Sequence, residues 1–202
     1  NAKWLVSYRN LDDDFDTDFG FNGNVQFCLA VRDPEISDNP TVSTSEGFES
    51  DNDAAGDALT PLTAAIFSNV TIVGPLRGNV SSTIAEGYRR AVRIRRNSNL
   101  KIFNSLFMDH SKGVMIDGTA CEANATSGAL SFKHNILAGN TAGNVCEVTS
   151  GSTFDIHTWF GANMNDSLVA TTGILATPYD YLAPDYRPAG SSPALSGADF
   201  ED

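Results

Sequence analysis

The 202-residue sequence predicts an all-β fold, a right-handed parallel β-helix (β-solenoid) with coils of roughly 22 residues and long polar loops. Apolar residues recur at a fixed interval, they come in pairs two positions apart, and turn-forming residues separate the pairs. The 17 glycines and 8 prolines agree with frequent turns. The hydrophobic share of 41% excludes wholesale disorder.

The interval is 22 residues. Two sets of apolar residues, called columns below, repeat at this interval and in register with each other. The second column follows the first by two positions, which is the spacing of neighbours on one face of a strand. A unit this short cannot bury its apolar face alone, whereas stacking units about 4.8 Å apart makes a continuous core. We therefore expect each column to form one inward-facing stack. The columns are Val70, Val92, Val114 and Ile136, and Ile72, Ile94, Ile116 and Ala138.

Strands are predicted where these apolar pairs lie, at residues 70–73, 92–95, 100–103, 113–116 and 130–132. Residues 1–8 also resemble a strand, with Trp4, Val6 and Tyr8 on one face. Two polar segments, residues 34–61 and 76–87, are too long for turns and are expected to loop out.

Residues 1–202 are predicted to form a single β-helix domain, the C-terminal part of a longer solenoid. The proline-rich residues 178–202 are expected to close it. A solenoid that starts within a coil presents an open end. We expect that end to contact an N-terminal β-helical half or a second copy of the chain.

The net charge of −12 and the isoelectric point of about 4.5 argue against nucleic acids and anionic lipids as partners. No apolar run reaches about 18 residues, so no membrane-spanning segment is predicted. Three cysteines without a CxxC spacing exclude the common zinc patterns. Cys121 and Cys146 are expected either to form a disulfide or to be buried thiols.

Two acidic clusters with carboxylates two positions apart are candidate cation sites. Curled loops of this kind can bring several hard oxygen ligands to one calcium ion, although the spacing is not that of an EF-hand. The alternative is a solvated acidic turn and an exposed acidic loop. The predicted metal ligands are Asp12, Asp14, Asp16, Asp18, Glu49, Asp51 and Asp53, with calcium as the possible cofactor.

Basic residues concentrate around one predicted strand, against the overall negative charge. Arg93 and Arg95 alternate with apolar Val92 and Ile94, so they should point outward from the solenoid. Three roles follow for them there: to pair with the acidic loops, to bind a sugar carboxylate, or to act as the base of a lyase. A surface ion-pair network is the commonest use of such residues.

Three motifs carry a family resemblance: NLDDDFDTDFGF at 10–21, GFESDND at 47–53 and FSNVT at 67–71. With them the chain resembles secreted or surface β-helix proteins of Bacteroidetes, which are pectin-lyase-like in fold and mostly lack an assigned activity. The resemblance implies export, so that the protein would be secreted, at the cell surface or in the periplasm. In longer members of that group a β-helical half precedes the segment similar to residues 1–20.

Two functions follow as hypotheses. The first is a non-enzymatic extracytoplasmic β-helix that binds glycan or acts as an adhesin-like or structural module, with a polysaccharide as its partner. The alternative is a calcium-dependent lyase of acidic polysaccharide, with Arg93 or Arg95 as the base. An enzyme should gather arginine, acids and aromatics in one groove, whereas a structural module should leave them dispersed.

Overall fold

The computed structural model describes residues 1–78 and 83–201, and their strands form five successive coils. Part of the predicted 76–87 loop, residues 79–82, therefore lies outside the described residues, as does Asp202. In chain order the coils are β1 (Ala2–Lys3), β2 (Val6–Tyr8) and β3 (Phe15–Thr17); β4 (Asn24–Gln26), β5 (Leu29–Val31) and β6 (Phe48–Ser50); β7 (Ile66–Ser68), β8 (Thr71–Val73) and β9 (Arg90–Arg95); β10 (Lys101–Phe103), β11 (Leu106–Met108) and β12 (Lys112–Asp117); then, after helix α1 (Thr119–Ser127), β13 (Ser131–Lys133), β14 (Ile136–Ala138) and β15 (Cys146–Val148).

Successive coils stack so that corresponding strands pair in parallel, which confirms the predicted parallel β-helix. Sheet A has the order β1-β4-β7-β10-β13, and sheet C has the order β15-β12-β9-β6-β3. Sheet B contains β2, β5, β8, β11 and β14, and gains a sixth strand, β16 (Asp166–Leu168), that follows helix α2 (Ile156–Ala162).

A sharp corner joins sheet A to sheet B in every coil. Its first residue has a positive φ near 50–63° in all five coils: Trp4, Phe27, Asn69, Asn104 and His134. Asparagine tolerates this left-handed conformation better than most residues do. The expectation of one strand over residues 1–8 is therefore wrong, because the bend at Trp4 separates β1 from β2.

The core lies between the three sheets and contains their inward-facing side chains. Phe48, Ile94, Ile116 and Phe132 are fully buried in one continuous apolar cluster. At the C-terminal end, Phe160 of α2 lies 6.3 Å from Phe132, ring centre to ring centre, so this helix covers the last coil.

The predicted columns are right for β9 and β12 but wrong beyond them. Val92 pairs with Val114 and Ile94 with Ile116, a step of 22 residues (92 to 114). Ile136 belongs to sheet B, where it pairs with Leu106. Val70 directly precedes β8 and Ile72 is its middle residue, also in sheet B, and Ala138 lies in β14 of the same sheet. Loops of unequal length enter the other coils, so the 22-residue step does not persist along the chain.

The predicted 34–61 loop contains a strand of the solenoid. Phe48 of β6 is fully buried and pairs with Phe15 and Val92 in sheet C. The polar residues around Phe48 hide this strand from a hydrophobicity pattern, so the sequence indicated one long loop where the structure has two loops and a strand.

The C-terminal segment folds back over the outer face of sheet B. Its hairpin, β17 (Leu175–Thr177) and β18 (Asp185–Pro188), and a 3-10 turn at Pro193–Leu195 cover that sheet. Ile174 and Leu175 pack there against Val73 and Met108. The segment expected to close the solenoid thus covers its side, while α2 covers its end. Within the described residues, no helix is long and apolar enough to cross a membrane.

Candidate functional site

The outer face of sheet C carries a ladder of charged side chains. Val92 and Ile94 point into the core, so the strand alternation turns Arg93 and Arg95 outward, as predicted. Register places Glu49 of β6 beside Arg93, while Asp117 of β12 lies beside Arg95. Acidic and basic side chains from three successive coils therefore meet on one surface.

Arg93 binds two carboxylates. Its Nη2 and Nε donate to Asp117 Oδ2 at 2.6 and 2.9 Å, and its Nη1 lies 3.6 Å from Glu49 Oε1. Thr149 Oγ1 also donates to Asp117, at 2.7 Å. Burial opposes ionisation of Asp117, but the hydrogen bonds from Thr149 and Arg93 prevail and lower its pKa.

Arg95, like Arg93, binds two carboxylates. Its Nε and Nη2 donate to the two oxygens of Asp51 at 2.6 and 3.0 Å, and Nη2 also contacts Glu49. Arg96 adds a contact of 2.8 Å to Asp51. Burial alone would lower the pKa of Arg95, but the hydrogen bond to Asp51 and the charge of Glu49 raise it above its ordinary value.

A second group of charges extends the ladder toward the start of these strands. Glu147 of β15 accepts from Arg90 Nε and from Lys112 Nζ, each at 2.7 Å. Fully buried Glu46 accepts from the backbone N–H of Arg90 at 2.5 Å. The predicted ion-pair network therefore exists and spans four coils of sheet C.

Two clefts flank the arginines. One, of about 320 Å³, lies between Arg93, Arg95 and Arg96 and the loop residues 40–44. The other, of about 370 Å³, lies between the same three arginines and residues 55–56 and 117–120. The arginine row thus forms a ridge with an open depression on either side.

The predicted calcium ligands do not converge on one point. The side chain of Asp14 is fully buried in an ion pair of 2.8 Å with Arg32 Nε, and Ser7 Oγ donates to it at 2.7 Å. Burial raises the pKa of Asp14 to about 6, although the charge of Arg32 opposes the rise. Arg32 also donates to the backbone carbonyls of Asp12 and Glu46.

The remaining predicted ligands are dispersed. Asp12, Asp16 and Asp18 are exposed, and Asp18 accepts from the backbone N–H of Phe19 at 2.7 Å. Asp53 accepts from the backbone N–H of Ala55 at 3.0 Å, while Glu49 and Asp51 bind arginines. Among residues 1–78 and 83–201, no group of three or more histidine, cysteine or acidic side chains could hold a metal ion. These residues do not fit a shared calcium site, and calcium binding stays a prediction.

Sequence reasoning missed several charged partners. Arg32, Asp117 and Glu147 are scattered along the chain and belong to no motif. For Asp117, the 22-residue step that places it beside Arg95 was a usable signal. The other two depend on loop lengths that no pattern in the sequence shows. Glu46 belongs to the second acidic cluster of the sequence, but its pairing with Arg90 was not foreseen.

The three cysteines are free and buried, so the buried-thiol alternative describes Cys121 and Cys146. Burial raises the pKa of Cys121 to about 11 and that of Cys146 to about 12. Thiols of this kind are unreactive near neutral pH, so they are structural rather than catalytic.

Comparison with known proteins identifies the family to which the chain belongs. No curated protein and no solved structure matches the chain. A family model described as a pectate-lyase-like β-helix domain matches residues 1–174, which include every strand of the three solenoid sheets. The chain therefore belongs to the family of pectate-lyase-like β-helix domains.

Proposed function

We propose that this protein is a non-enzymatic β-helix that binds glycan outside the cytoplasm, with the ridge and two clefts of sheet C as its binding surface. Secretion, display at the cell surface or residence in the periplasm fits this proposal, as does an adhesin-like or structural role built on glycan binding. A polysaccharide is the proposed partner.

The proposal rests mainly on one observation: both candidate bases, Arg93 and Arg95, are paired with carboxylates. An arginine that acts as a base must first lose a proton, and Asp51, Asp117 and Glu49 stabilise the protonated guanidinium. The raised pKa of Arg95 points the same way. This arrangement favours arginines that hold position and donate hydrogen bonds over arginines that abstract protons.

Glycan binding is supported by the chemistry of the ridge and its walls. Guanidinium and carboxylate groups supply the donors and acceptors that sugar hydroxyls require. Pro40 and the 80% exposed Val42 border one cleft and offer apolar contacts for the C–H faces of a sugar. Because the ridge balances acidic and basic groups while the chain carries a net charge of −12, a neutral glycan fits better than a polyanion.

The test is binding to a panel of neutral and acidic polysaccharides, measured by affinity electrophoresis and calorimetry. Arg95→Met should weaken binding about tenfold or more, since charge-assisted hydrogen bonds are each worth roughly 1.5–3 kcal/mol. Arg187→Met is the matched control, because Arg187 is paired with Asp185 on the C-terminal segment, away from sheet C.

Arg95→Met also removes ion pairs, so its melting temperature must be measured alongside. Val42→Asp tests the cleft without touching the ridge, since Val42 is 80% exposed. Loss of binding in this folded variant supports the proposal. Failure of the wild-type chain to bind any glycan, or equal loss in Arg187→Met, would overturn it.

A further inference from the structure

A cleft lies between helices α1 and α2, at the end of the solenoid that α2 covers. One wall comes from residues within 125–133, at the end of α1 and in β13, and the other from residues within 154–163, which include α2. The volume of the cleft is about 620 Å³, within the range of roughly 300–1,000 Å³ that ligand sites occupy. It shares no lining residue with the two clefts of sheet C, so it is a separate surface.

Two aromatic side chains form the apolar floor of this cleft. Phe154 and Trp159 are half-buried, with ring centres 6.0 Å apart and ring planes inclined at 55°. Trp159 Nε1 donates to the backbone carbonyl of Ala125 at 3.3 Å, so the indole is fixed between the two helices. Because its N–H is already bonded within the chain, the indole has only carbon surface left to offer a ligand. The floor therefore suits an apolar C–H face.

The polar lining of the cleft consists largely of hydrogen-bond acceptors. Thr126 Oγ1 and Ser127 Oγ donate to backbone carbonyls of their own helix at 2.8 and 3.1 Å. Thr158 Oγ1 donates to Asp155 Oδ2 at 2.7 Å. Each of these three hydroxyls has therefore used its one proton and keeps lone pairs. They can accept hydrogen bonds from a ligand that carries several donors.

The charges that line the cleft are balanced. Asp155 is exposed and caps α2, accepting from the backbone N–H of Thr158 at 3.0 Å. That hydrogen bond lowers the pKa of Asp155, so its carboxylate is ionised at neutral pH and remains an acceptor. Lys133 lines the cleft on the β13 side, which gives one charge of each sign. Such a cleft does not select a polyanion, whose oxygens would face the acceptors of its lining.

We propose that the cleft between α1 and α2 is a further glycan site, which binds a pyranose unit of a neutral polysaccharide with one face of the sugar on Phe154 and Trp159. A pyranose matches both parts of the cleft. Its C–H face packs on the two rings, and its hydroxyls donate to Thr126, Ser127 and Thr158. This site goes beyond the proposed binding surface of sheet C and does not depend on it, because the two share no lining residue.

Tryptophan fluorescence reports on this cleft directly, because the sequence has 2 tryptophans and Trp4→Phe leaves Trp159 alone. The probes are short neutral oligosaccharides of β-linked glucose, mannose or xylose, with a uronate oligosaccharide and a proline-rich peptide as competing classes, each titrated to about 10 mM. The expected result is a saturable change in emission with at least one neutral oligosaccharide. In the Trp4→Phe background, Ala162→Arg should weaken binding about tenfold or more, because exposed Ala162 lines the cleft and the larger side chain obstructs it.

His157→Arg is the matched control, because His157 is exposed on the same helix and does not line the cleft. It should leave the affinity unchanged, and circular dichroism should show both variants folded. Arg95→Met should also leave the emission change in place, which separates failure of this site from failure of the sheet C surface. No emission change with any neutral oligosaccharide would overturn the proposal. So would saturation by the uronate or the peptide alone, or equal weakening in His157→Arg or Arg95→Met.

Discussion

Replacement of Ile94 by alanine tests the stacked core. Ile94 is fully buried in β9, with Ser50 of β6 and Ile116 of β12 as its register partners. Large-to-small changes of this kind cost about 2–5 kcal/mol, and the cost rises when the surroundings cannot close the cavity. Parallel hydrogen bonds fix the neighbouring coils on both sides of Ile94. We therefore expect a loss of about 3–5 kcal/mol.

The assay is unfolding in urea, followed by far-ultraviolet circular dichroism, with the midpoint and slope fitted separately. Ile66→Ala is the matched control, because Ile66 lies on a strand of sheet A and is 36% exposed. Its loss should stay near 1 kcal/mol or below. Equal losses for Ile66→Ala and Ile94→Ala, or a loss under about 1 kcal/mol at Ile94, would refute the stacked column.

Three further predictions concern protonation, thiols and calcium. Burial and nearby acids raise the pKa of Asp13 to about 8, so protonation of Asp13 stabilises the folded state below about pH 4, and this stabilisation is lost as the pH rises toward 8. Asp13→Asn should therefore stabilise the protein by roughly 1–3 kcal/mol at pH 8 and by much less at pH 4, as measured by urea titration. Equal effects at the two pH values would contradict this prediction. Alkylation at pH 8 should label none of the three cysteines in the folded protein and all three in urea, as read by mass spectrometry; a thiol missing in urea would indicate a disulfide. Millimolar calcium should raise the melting temperature of chelator-stripped protein if the exposed Asp16 and Asp18 bind it, and an unchanged melting temperature would reject the calcium prediction.

The sequence predicts the architecture because strand alternation and stacking leave a pattern in the chain. Val92 and Val114 are in register because one short coil without an insertion separates β9 from β12. The outward direction of Arg93 and Arg95 follows from the same alternation. These features depend only on local periodicity, so the sequence contains them.

Other features depend on distances that the sequence does not encode locally. Asp51 reaches Arg95 because β6 and β9 are neighbours, although 44 residues separate them (51 to 95). Arg32 reaches Asp14 through a connection between sheets whose course no motif reveals. The acidic residues therefore suggested metal ligands, while in the structure arginines neutralise three of them, Asp14, Glu49 and Asp51.

We propose that the arginines of sheet C hold ion pairs and do not act as bases, and an assay for lyase activity tests this most directly. Ultraviolet absorbance detects the unsaturated sugars that a lyase releases from acidic polysaccharide, and the assay should be run across pH with and without calcium. We predict no release by the wild-type chain under any of these conditions. Calcium-dependent release that disappears in Arg93→Ala or Arg95→Ala would contradict it and assign the protein to the lyases.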